Sequence, residues 1–191
     1  MKRISLIVAA LVLGLTGCAG GGRGREPEGT VLAQVLGVDR MGEMWLLTAA
    51  GPNGKGETVL QSVEGESLEE TFSAVSGSGR EWVSLKSVGH ILLGDGVNPE
   101  EVLSFVLEDS GMSWRACVWY APIAAAVIGE EEDGGSGRLT VLEETGGETV
   151  TVLDVLVGLK EKGKGVVPAL VREDGHLVSS GVLECEVRRV E

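Results

Sequence analysis

Residues 30–63, TVLAQVLGVDRMGEMWLLTAAGPNGKGETVLQSV, decide the architecture. Residues 30–38 and 44–50 are β-like runs, and between them Asp39-Arg40-Met41-Gly42 has the chemistry of a turn, so the two read as a hairpin. Residues 51–56 (GPNGKG) make a second, longer turn into a third strand over residues 57–63. Connections this short force an antiparallel meander, because a parallel neighbour needs a crossover of about a dozen residues or more.

Downstream the pattern changes period. Ser67-Leu68-Glu69-Glu70 is a capping-box sequence, and Leu68, Phe72 and Val75 follow on one helical face; the helix should end near Gly77-Ser78-Gly79. Residues 88–93 are a short apolar strand. Asn98-Pro99-Glu100-Glu101 opens a second helix with an Asn cap, Pro at its first position and acids in its first turn; Val102, Leu103, Val106 and Leu107 form its buried side, and Gly111 stops it. Residues 115–121 read as a strand, 122–128 as a short helix, 130–137 (EEEDGGSG) as an exposed loop and 139–142 as a weak strand. Residues 151–162 form a helix with Lys160 and Lys162 near its end and Gly163 beyond; 166–171 and 177–190 are strands around Asp174-Gly175. Strands and helices mix without strict alternation. The expectation is α+β: a mixed, largely antiparallel sheet with three or four helices packed on it, in one domain over residues 30–191.

Upstream lies the compartment signal. Residues 1–17 carry Lys2 and Arg3, then an apolar stretch over residues 4–15 of signal-peptide length. Leu15-Thr16-Gly17-Cys18 is similar to the lipobox of bacterial lipoproteins: small Thr16 and Gly17 admit the cleaving enzyme, and the Cys18 thiol takes the diacylglycerol. Two acyl chains of palmitate length make a lasting anchor where one alone is marginal, each buried CH₂ contributing about 0.8 kcal/mol. Residues 18–29 are a Gly-rich tether, with a root-mean-square reach of about 17–20 Å for its eleven residues after Cys18.

The 191 residues carry 16 Lys plus Arg against 29 Asp plus Glu, a net charge of −13, and loss of residues 1–17 would take it to −15. Nucleic acid is excluded as a partner by that balance, since phosphate binding needs clustered cations. An anionic membrane would repel the body, so the lipid must hold it. With 43% hydrophobic residues the chain can bury a core without metals or disulfides.

Catalytic chemistry is not assembled in the pattern. Residues 51–56 only superficially suggest a phosphate loop: Ala49 stands where the first Gly belongs, Gly56 replaces the hydroxyl that holds magnesium, and no helix follows. His90 reads as a strand His on the face of Val88 and Leu92, half-buried and bonded to backbone; as a catalytic group it would need an acid or base in hydrogen-bond reach. His176 reads as an exposed turn residue. Two distant His without a paired-ligand spacing argue against a metal site, and Glu130, Glu131, Glu132 and Asp133 lack the spacing of a calcium loop. No nucleophile elbow joins a strand to a helix, and no cofactor is expected. Cys117 and Cys185 lie in expected strands outside the cytoplasm. A disulfide can join them if those strands are neighbours; two buried free thiols is the other reading.

The order of features is similar to one family. Residues 31–40 (VLAQVLGVDR), 62–72 (SVEGESLEETF), 85–94 (LKSVGHILLG), 97–107 followed by 112–122, and 152–170 (VLDVLVGLKEKGKGVVPAL) resemble, in sequence, the N-terminal domain of the Ger(x)C family, the C-subunit lipoproteins of spore germinant receptors. Shared are an Asp plus a basic residue ending the first strand, a Gly-x-Ser/Thr-Leu helix entry, a His before an apolar strand and Gly, and a late helix followed by Gly and a Pro-containing strand. Members of that family continue into further C-terminal domains. The resemblance implies a lipoprotein on the outer face of a membrane, the spore inner membrane, touching integral A- and B-type receptor subunits without catalysis. The alternative is a stand-alone extracytoplasmic lipoprotein that binds a small ligand, with a pocket lined by Trp82, Trp114 or Trp119.

Overall fold

The computed structural model describes residues 30–77, 82–145 and 149–186. Leu15, Thr16, Gly17, Cys18, the tether, Ser78 and Gly79 at the expected helix end, and the last residues of the expected final strand lie outside the described residues.

Nine strands and five α-helices follow one another within them: β1 (Thr30–Leu32), β2 (Val35–Met41), β3 (Met44–Pro52), β4 (Thr58–Gly65), α1 (Leu68–Gly77), β5 (Trp82–Ser84), β6 (His90–Leu93), α2 (Pro99–Glu108), β7 (Cys117–Tyr120), α3 (Ala124–Glu130), α4 (Ser136–Thr145), α5 (Val152–Lys162), β8 (Lys164–Glu173) and β9 (His176–Glu186). Seven strands form one sheet in the order β4-β3-β2-β6-β7-β8-β9, and β1 pairs with β5 in a separate ribbon. The class is α+β, as expected. The long antiparallel pairings (β2 with β3, β3 with β4, β8 with β9) occupy the two flanks. Short parallel pairings join β2, β6, β7 and β8 in the middle, where both faces are covered by helices.

Alternation sends the central strands' side chains to two cores. Leu36, Val38, Ile91, Leu93 and Val118 face α1, α2 and α5. Val35, Leu92, Cys117 and Trp119 face α3 and α4. Each fully buried Leu, Ile or Val there contributes about 1.5–3 kcal/mol relative to an exposed one.

The expected caps form. Asn98 accepts from the Glu100 amide at 3.1 Å, and Thr151 with Asp154 makes a full capping box on α5. At α1 the Glu70 amide donates to the Ser67 hydroxyl, while the Glu70 carboxylate reaches one residue further back, to the Glu66 amide at 3.0 Å.

Two expectations need correction, and one open alternative is decided. The run expected as one strand over residues 30–38 breaks at Ala33-Gln34, and its halves join different sheets. The weak strand at 139–142 is part of helix α4: Leu139 and Leu142 are one helical turn apart and both are buried, a spacing that a four-residue window cannot tell from a strand. Asp133 starts that helix, accepting from the Gly135 and Gly137 amides at 2.9 and 2.7 Å. Finally, β8 lies between β7 and β9, so the strands of Cys117 and Cys185 are not neighbours. The two thiols sit in different cores, buried and free, the second of the two readings left open for them.

Candidate functional site

The polar residues with chemical potential gather where β6, β7 and α4 meet. His90 and Cys117 open their strands and are direct neighbours in the parallel register. Trp119 lies two residues on, on the same face, and α4 presents Thr140 and Glu143 one turn apart on its side. His90, expected to share its face with Val88 and Leu92, keeps only Leu92; Val88 precedes the strand and packs in the other core. Its ring is buried and bonded to side chains, not to backbone.

One proton pattern fits this geometry. The Trp119 indole N–H, which can only donate, points at His90 Nδ1 at 3.3 Å. The ring proton therefore sits on Nε2, 3.4 Å from Thr140 Oγ1, and that hydroxyl donates onward to the Ser136 carbonyl at 2.9 Å. Burial holds the His90 imidazolium below its ordinary range, against the pull of the Glu143 charge. Burial together with the charge and hydrogen bond of Glu143 pushes the Cys117 thiol up to about 12, so it is a protonated donor and not a nucleophile.

Donor atoms of His90, Cys117 and Glu143 lie within 4.8 Å of one another, a convergence that no spacing in the sequence announces. These residue types suit a borderline-soft divalent ion. Such an ion would have to displace Trp119 or Thr140 from the ring and take the place of the thiol proton held by Glu143. As it stands the network fastens α4 to the sheet. Among the described residues the ring's hydrogen-bond partners are Trp119 and Thr140, with the Glu143 carboxylate close by but not bonded to it.

Asp39, two residues before the end of β2, is the second polar centre. Its two carboxylate oxygens accept from the Ala124 and Ala125 amides, each at 2.8 Å, at the start of α3. Burial raises its pKa, the two amides oppose that, and the nearby Asp95 charge adds to it. Two glycines make room for this junction. A methyl group at Gly94 would overlap the Asp39 carboxylate, and one at Gly37 would lie 2.8 Å from Ile128 of α3. The adjacent Arg40 stacks over Trp45 at 4.3 Å.

An open groove of about 270 Å³ lies at the C-terminal ends of β6 and β7, lined by Leu93, Asp95, Asn98, Tyr120, Leu183 and Glu184 among others. Tyr120 donates to the Asp95 carboxylate, which pushes its phenol up to about 12. A second groove lies between α1 and α2. Neither is lined by Trp82, Trp114 or Trp119: Trp119 is core, and the other two are exposed. The acidic run has divided duties: Glu130 and Glu131 pair with Arg172 of β8, each at 2.8 Å, while Asp133 caps α4. His176 is exposed at the start of β9.

Comparisons with protein-family models, with curated proteins and with solved structures return no match.

Proposed function

We propose that this chain is a membrane-anchored lipoprotein acting as a non-catalytic docking module, of the kind the germinant-receptor C subunits represent, with integral A- and B-type subunits as partners in spore germination. The observation that carries this reading is the use to which the polar residues behind the resemblance are put. Asp39 and Gly94 seat α3, and His90 is enclosed by Trp119 and Thr140. Among the described residues no buried side-chain nitrogen or oxygen lacks a partner. Groups spent on holding the fold favour a body that presents a surface over one that turns over a substrate. Acylated Cys18 would confine that body near its partners and raise its effective concentration through the short tether.

Co-purification from detergent-solubilised membranes is the test. Multi-spanning A- and B-like proteins should elute with the wild-type chain, and Cys18→Ala should release it from membranes. Retention of Cys18→Ala on membranes after alkaline extraction contradicts the anchor, and elution of the acylated chain alone contradicts the docking role. The small-ligand alternative calls for a pocket lined by Trp82, Trp114 or Trp119, and these residues line neither of the two grooves described above.

A further inference from the structure

The ribbon outside the main sheet has a position that the fold alone does not explain. Strand β1 begins at Thr30, and its parallel register sets Thr30 beside Trp82, Val31 beside Val83 and Leu32 beside Ser84. Residues side by side across a pair share a face, and faces alternate along each strand. Val31 and Val83 are both 1% exposed and face the core. Trp82 and Leu32 face the other way, at 58% and 47% exposure.

The tether meets the folded body at this spot. Eleven residues separate Cys18 from Thr30, and a paired strand lies about 4.8 Å away, so Trp82 stands at the root of the tether. We propose that Trp82, with Leu32 near it on the ribbon's outer face, seats in the headgroup–acyl boundary of the bilayer that carries the Cys18 acyl chains. This seating rests on the lipid-anchor reading and adds an orientation to it.

Three considerations select a lipid interface as the occupant. An indole has a large apolar body and one polar N–H, the combination that partitions to the membrane–water boundary. A tether reaching only about 17–20 Å keeps its own root closer to the bilayer than any remote surface. The strongly negative body is repelled by anionic lipid, so the contact has to be small, apolar and next to the anchor. The acyl chains supply the affinity, and Trp82 decides which side of the body faces down.

The experiment uses the full-length chain, purified in detergent and reconstituted into phosphatidylcholine vesicles containing acyl-brominated lipid, which quenches indoles at the boundary. Trp45 and Trp119 are shielded at 3% and 2% exposure, while Trp114, three residues before β7, is exposed and serves as the control indole. The wild-type chain should lose fluorescence in brominated vesicles; Trp82→Phe should abolish that loss, and Trp114→Phe should leave it. Near-ultraviolet circular dichroism checks that both variants keep the fold. Absence of quenching in the wild type, or quenching that survives Trp82→Phe or vanishes with Trp114→Phe, overturns the proposal. Mass measurement on the same sample separates the failures: an acylated Cys18 with unquenched Trp82 strikes the seating alone, and a bare Cys18 strikes the anchor with it.

Discussion

Asp39→Ala tests the junction between β2 and α3. The substitution takes the acceptors from two amides, Ala124 and Ala125, each 2.8 Å from a carboxylate oxygen. An orphaned buried donor costs about 1–3 kcal/mol, and loss of a helix-capping side chain about 0.5–2 kcal/mol. Two effects reduce the sum: the Ala125 amide is only partly buried, so water can reach it, and removing a desolvated carboxyl relieves its own penalty. The net expectation is roughly 2–3 kcal/mol of destabilisation. With a urea slope of about 1–3 kcal/mol/M, the midpoint should fall by about 1 M or more. Urea titration of the detergent-held chain, followed by circular dichroism, reads this directly.

Asp39→Asn adds a check on sign. The folded carboxyl has a raised pKa, so the folded state binds its proton more tightly than the unfolded chain does. The stability this confers is full below the ordinary carboxyl value of 3.8 and is lost as pH rises through the folded value. Wild-type stability relative to Asp39→Asn should therefore improve on acidification towards that value. Asp39→Ala within about 0.5 kcal/mol of wild type would refute the capping account, since changes that small are ordinary for surface substitutions.

His90 has the opposite linkage. Its pKa is lowered by burial against the influence of Glu143, so its contribution is present above the ordinary imidazole value of 6.5 and is lost as pH falls through the folded value. Urea midpoints of the wild type should drop in that window, and His90→Gln should flatten the profile. Gly94→Ala forces a methyl group onto the Asp39 carboxylate and should cost about 1–3 kcal/mol by overpacking, read as a fall in thermal midpoint. Denatured without reductant, the chain should show both Cys117 and Cys185 open to alkylation, with neither reacting quickly in the folded state; a mass two hydrogen atoms lower with no modification would contradict the free thiols.

Much of the fold was legible because its cues are local. The β2–β3–β4 meander follows from turn residues and strand runs, and α1, α2 and α5 from periodic Leu, Val and Phe between recognisable caps. Helix α4 was hidden because only Leu139 and Leu142 mark its buried side, and the break after β1 because Ala33 and Gln34 do not look like a turn. The polar cluster was not legible at all. His90, Cys117 and Glu143 come from two strands and a helix, with His90 and Thr140 50 positions apart, and only the parallel register and the packing of α4 bring them together. A His and a Cys each opening a short apolar strand was the one available hint. The choice between a Cys117–Cys185 bridge and two free thiols was left open for a similar reason, since strand order is not written in strand sequence.

Intact-mass analysis of the chain extracted from its native membrane bears most directly on the account. The prediction is a polypeptide that starts at Cys18 and carries diacylglycerol on sulfur. A polypeptide that still holds residues 1–17, or one that starts at Cys18 with an unmodified thiol, would contradict it.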